Sequence, residues 1–110
     1  MEIWEQLERK IKDLERSVKL LAENGKKYAE SERAYKIALG QAALRLRDGG
    51  MPVTLIDKTV YGEADVADAR FARDAAEAVY KANQEAINSL KLQIRILHDQ
   101  NTQDWGAAKF

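Results

Sequence analysis

The 110-residue chain has no cysteine, one proline and no excess of either charge. Without cysteine there is no disulfide, no thiol nucleophile and no thiolate metal site, a composition that suits a reducing cytoplasm. With Pro52 the only proline, nothing forces a helix break over the long stretches on either side. Eighteen basic and eighteen acidic residues cancel. A protein whose partner is duplex DNA shows a basic excess or stripe, so duplex DNA is not an expected partner. No run approaches eighteen apolar residues, and the opening "MEIWEQLERKIKDLERSVKLL" is too charged for a signal peptide, so no membrane association is expected. There is no G-x-x-x-x-G-K-[ST], no G-x-G-x-x-G and no H-E-x-x-H. His98 is the only histidine, set next to Leu97 on a helical pattern with no recognisable nucleophile nearby. No catalytic residue, metal or cofactor is expected.

What the chain does have is helical periodicity. Trp4, Leu7, Ile11, Leu14, Val18, Leu21, Gly25, Tyr28, Glu32, Tyr35, Leu39, Ala42 and Leu46 follow one alternating 3-4 spacing, the stripe of a coiled-coil seam. Gly25 marks a bend or a close helix approach, and Glu32 puts a charge on the seam. The spacing predicts one helix over about 2–48. Gly49 and Gly50 then supply a left-handed C-cap and Pro52 prevents the helix from resuming. Gly62 or Asp65 can cap a second helix, with Glu63, Asp65 and Asp68 placing negative charge on its first turn. That helix is expected over about 63–103. Its start is rich in alanine and its later part carries Ile87, Leu90, Ile94 and Leu97. Residues 104–110 read as a frayed tail.

The fold class is therefore all-α: a single domain forming a long antiparallel helical hairpin with an apolar connector at 49–62. Aligning the two ends makes residue i face roughly 111 − i. Leu21 then meets Leu90, Leu14 meets Leu97, and Trp4 clamps the open end with Trp105. Alanines meet alanines near the connector, a consistency that supports the hairpin. Two helices bury only one stripe each. Apolar residues also lie off the seam, at Ile37, Ala38 and Leu44 and at Phe71, Val79 and Tyr80. The chain is accordingly expected to pair with itself in a homo-oligomeric bundle. The residues expected in the core or between subunits are Leu14, Leu21, Tyr35, Leu39, Leu55, Ile56, Phe71, Leu90 and Ile94. Tyr28, Tyr35 and Tyr80 read as mid-hairpin aromatics with hydroxyls at the rim.

The connector raises the functional question. "MPVTLI" has no charge, and Val53, Thr54 and Ile56 are β-branched behind Pro52, so an extended run is expected that something must cover. It plugs a bundle end or walls a pocket. Arg45 and Arg47 precede it, Met51 and Thr54 lie within it, Lys58 and Tyr61 follow, and Arg70 and Arg73 come back to the same end of a hairpin. Arginines beside apolar and aromatic walls suit a small anionic, nucleotide-like ligand. Asp48, Asp57, Glu63, Asp65 and Asp68 are equally near and able to neutralise them. Pairs such as Glu32–Lys36, Arg70–Asp74 and Arg73–Glu77 are the ordinary dressing of a solvated helix.

The block "ERAYKIALGQAALRLRDGGMPVTLIDKTVYGEADVADARFARDAAEAVYKANQEAINSLKLQIRIL" resembles small helical proteins of phages and prophages, chiefly of Firmicutes. The resemblance covers about 31–97 and is most specific at "GMPVTL" (Gly50 to Leu55) and "RFARDAAEAVY" (Arg70 to Tyr80). It implies a phage accessory gene and assigns no catalytic residue. Such a protein is expected to act by binding in the host cytoplasm. It would counter a host process such as antiviral defence by sequestering a nucleotide-like signal or occluding a host protein. The alternative is a coiled-coil accessory or adaptor of phage DNA replication or recombination. For that alternative, strongly salt-dependent binding to single-stranded DNA would be the mark of direct nucleic-acid contact.

Overall fold

A computed structural model of the chain describes residues 2–108, with side chains as far as residue 106. The described residues are all-helical, with no strand among them. Helix α1 spans Ile3–Asp48, α2 spans Val53–Thr59, a 3-10 turn covers Val60–Gly62, and α3 spans Ala64–Ala108. By their contacts they form two compact units, Asn24–Tyr80 and Met1–Glu23 with Lys81–Phe110.

In the unit Asn24–Tyr80, α1 ends in a Schellman cap. The Met51 N–H donates to the Leu46 carbonyl at 3.1 Å and the Gly50 N–H to the Arg47 carbonyl at 2.9 Å. Gly50 holds the left-handed φ of 89° that this motif needs. Met51 and Leu46, the two ends of the longer bond, both pack on the core. The expected extended run is instead helical. Pro52 sits just before α2, and its carbonyl accepts the N–H groups of Leu55 (2.9 Å) and Ile56 (3.2 Å). The β-branched residues yield because Ile56 and Val60, four apart, turn one apolar face inward. Neither Gly62 nor Asp65 caps α3. Glu63 is the extended residue before it, and its carbonyl accepts the Ala67 N–H at 2.9 Å.

The core of this unit is Tyr35, Ala42, Ile56, Val60 and Val66, ringed by Ala38, Leu39, Ala43, Leu46, Met51 and Ala69. The connector therefore plugs its own end with Ile56 and Val60. Two of the expected core residues lie elsewhere: Leu55 is 49% exposed and Phe71 is 76% exposed, because each points away from the inward row of its helix. Midway, α1 continues as helix through Gly25. The close-approach reading holds: a Cβ there would stand 3.2 Å from Cε2 of Tyr80. The Tyr28 and Tyr80 rings lie 5.9 Å apart and tilted, and the Tyr28 hydroxyl donates to Glu77 at 3.0 Å.

In the unit of the chain ends, α1 and α3 again run antiparallel. Leu7 and Ile87 are buried; Leu14, Leu21, Leu90 and Ile94 are half-buried. On this stretch of α1 only one of the two predicted rows is inside. Trp4, Ile11 and Val18 are exposed, and the positions one residue earlier, Ile3, Lys10 and Ser17, take their place. Both rows are sterically eligible at 3.6 residues per turn. The chosen one lets the Asn83 side chain donate to the Ser17 carbonyl at 3.0 Å. The register also departs from 111 − i. The Asn83–Ser17 bond falls well short of it, whereas Leu21 shares a hollow with Gln84, Ile87, Asn88 and Lys91, on either side of the expected Leu90. Trp4 and Trp105 border a shallow hollow with Glu2, Ile3, Asn101 and Asp104, both largely exposed, so they do not clamp shut. Helix α3 continues through 104–108, where a frayed tail was expected. Lys109 and Phe110, the rest of that expected tail, lie outside the described residues.

Candidate functional site

Helix ends bring cations towards the connector because α1 stops there and α3 starts there. Arg45 lies in the last turn of α1 and Asp65 in the first turn of α3. The Arg45 guanidinium donates to Asp65 at 3.1 and 3.4 Å and to Glu63 at 3.5 Å. The hydrogen bond from Arg45 holds the Asp65 carboxyl below the usual carboxylate range, and the same bond raises Arg45. This is charge-assisted pairing across the mouth of the hairpin turn. The sequence-stated acids Glu63 and Asp65 are thus the groups that neutralise Arg45.

Arg73 stands about two turns further along α3. It donates to Asp74 at 2.8 and 3.0 Å, lies 3.9 Å from Glu32 and stacks its guanidinium 4.5 Å from the centre of the Tyr35 ring. Its pKa is raised, first by the hydrogen bond to Asp74. The charge that Glu32 brings to the seam is answered twice, by Arg73 and by Lys36 at 3.9 Å. Sequence reasoning missed the Glu32–Arg73 contact. It depends on the register between helices, and that register was set from the chain ends.

The contacts of the eight predicted residues are mostly to other residues. Arg45 and Arg73 are each committed to their own carboxylates. Arg70 lies over the Tyr61 ring at 6.0 Å, a contact at the outer edge of cation–π range. Met51 is half-buried against the core. Arg47, Thr54 and Lys58 are exposed. Of the set, the contact that joins two members is that of Arg70 with Tyr61. His98 is exposed, 3.7 Å from Asp99. Among the described residues, no cluster of three or more His, Asp or Glu could hold a metal ion.

What the connector end does present is apolar surface. Val53, Leu55, Tyr61 and Phe71 are exposed around it, and Ile37 and Leu44 are exposed on the outward face of α1. Among the described residues, no helix is long and apolar enough to cross a membrane. Compared with protein-family models, curated proteins and solved structures, the chain matches none.

Proposed function

We propose that the chain is a non-enzymatic binding protein that acts on protein surfaces. In the setting its sequence resemblance implies, it is a phage accessory protein that counters a host process, such as antiviral defence, by occluding a protein in the host cytoplasm. One observation carries this reading: large apolar side chains left outside outnumber those inside. Single exposed leucines need no explanation, but exposed aromatic and aliphatic side chains in this number are what a protein-binding surface calls for.

Capture of a nucleotide-like anion is the weaker form of the same idea. Its best arginines, Arg45 and Arg73, already hold carboxylates at hydrogen-bond distance. A phosphate would have to displace those partners before gaining anything. Native mass spectrometry of the chain purified from bacteria tests the choice. The expected spectrum shows mass added only in whole-protein steps. A retained mass of nucleotide size, lost in the Arg73→Glu variant, would overturn the protein-binding reading.

A further inference from the structure

The outward face of α1 between Glu30 and Arg47 carries a second heptad row that the hairpin does not use. Its positions are Glu30, Arg33, Ile37, Gly40, Leu44 and Arg47, spaced 3-4-3-4-3. Ile37 is 47% exposed and Leu44 is 59% exposed. Between them lies Gly40, in the middle of a helix, where glycine costs about 1 kcal/mol relative to alanine. Nothing inside the chain asks for it: a Cβ at Gly40 would meet nothing within 4 Å. At Gly25 the missing Cβ makes room for Tyr80; at Gly40 the neighbour that would need the room is not part of this chain.

We propose that this face docks a second copy of the same chain, α1 against α1 and antiparallel, about a two-fold axis between residues 38 and 39. In antiparallel coiled coils the two rows of one helix pack against the opposite rows of the other. Ile37 of each copy then enters the notch at Gly40 of the other. Leu44 lies along the aliphatic stem of Arg33. At both ends Glu30 meets Arg47, and on the flank Lys27 comes near Asp48, so opposite charges face each other four times by symmetry. A parallel arrangement would set Glu30 on Glu30, Arg33 on Arg33 and Arg47 on Arg47, three like-charge contacts. Sliding the antiparallel pair by seven residues either places Ile37 on Arg47 or drives Glu30 into the Gly40 notch. Charge and shape select the same register. The contact runs for about two and a half heptads, at the low end of interface sizes, so the pairing is expected in the micromolar range.

This inference rests on the protein-binding reading and names one partner for it. Sedimentation equilibrium from micromolar to millimolar concentration is expected to show a monomer–dimer equilibrium. Gly40→Leu fills the notch in a position open to solvent and keeps the helix, as circular dichroism will report. It should raise the dimer dissociation constant by about tenfold or more. Glu30→Arg alone should weaken the dimer, and adding Arg47→Glu should restore it. Because the chain has no native thiol, Ile37→Cys and Gly40→Cys chains can be mixed under oxidising conditions, and the two are expected to cross-link to each other. An unchanged dimer in Gly40→Leu, cross-linking of Ile37→Cys chains only to themselves, or a wild-type monomer throughout would each overturn the inference. The last result would leave the protein-binding reading standing for a different partner, whereas a retained nucleotide would remove that reading itself.

Discussion

The two units are made from the same two helices, yet they hold together differently. Asn24–Tyr80 has a core of five buried side chains, with Ala42 and Val66 wholly buried. Among the described side chains of the unit of the chain ends, only Leu7 and Ile87 are buried. The difference is a third element. Where α2 and the 3-10 turn fold back, Ile56 and Val60 join α1 and α3 around one cluster. Two helices side by side can cover only a stripe of each other, and everything off that stripe stays wet. A connector of seven helical residues is enough to turn a seam into a core.

Breaking that core gives the largest expected effect. Val66→Asp buries a carboxylate with no partner and should cost about 4 kcal/mol or more, read as loss of the cooperative urea transition. Next comes a contrast within α2: Ile56→Ala should cost about 2–4 kcal/mol, while its exposed neighbour Leu55→Ala should stay within about 0.5 kcal/mol. In the other unit, Leu7→Ala should cost about 2 kcal/mol, and hydrogen exchange should show the lost protection confined to the chain ends. If Leu7→Ala also deprotects the connector, the two units are not separate in stability.

The glycines sharpen the comparison more gently. Gly40→Ala, measured at low concentration by urea unfolding, should stabilise by about 0.5–1 kcal/mol, since the methyl group meets nothing. Gly25→Ala should gain little or nothing, because Tyr80 must give way by a few tenths of an ångström. The smallest effect is electrostatic. Asp65 titrates lower when folded, chiefly through its hydrogen bond from Arg45. Its contribution is therefore present above the unfolded carboxylate value of about 4 and is lost as pH falls through the lower folded value. Asp65→Asn should lower stability slightly at neutral pH, and the difference should shrink as pH falls through the lowered folded value.

Much of this architecture was legible beforehand, in physical terms. The glycine pair and the proline announce the end of α1, because only glycine takes the φ of Gly50 without strain. The row Leu7, Leu14, Leu21, Tyr28, Tyr35, Ala42 is inside as its spacing says. Three things were misread for identifiable reasons. Branched residues in 53–56 suggested an extended run, although Ile56 and Val60 already carried a helical i,i+4 signal. Near the chain ends the second row of the seam, Trp4, Ile11 and Val18, lost to its neighbours, since a helix does not mark which of two adjacent rows its partner will choose, while Leu39 and Leu46 of the same row pack on the core as their spacing says. The register was taken from the chain ends; Arg45–Asp65 beside the connector keeps to it, whereas Tyr28–Glu77 further along the pair does not. Of the candidate site, the cations and their nearest acids could be named from sequence. Which acid pairs with which cation could not, because it depends on which side chains the register brings within 4 Å.

The Schellman turn at Gly50 also bears on how the chain finds its fold. The Arg45–Asp65 contact closes over 20 residues, while Asn83 reaches Ser17 across 66. Forming the distant pair first would cost about 1 kcal/mol more in chain entropy than forming the near one. Once the turn has set, each further helical turn shortens the gap that the next contact must span. The molecule should therefore zip from the connector outwards, with Val66 committed in the folding transition state and Leu7 joining after it.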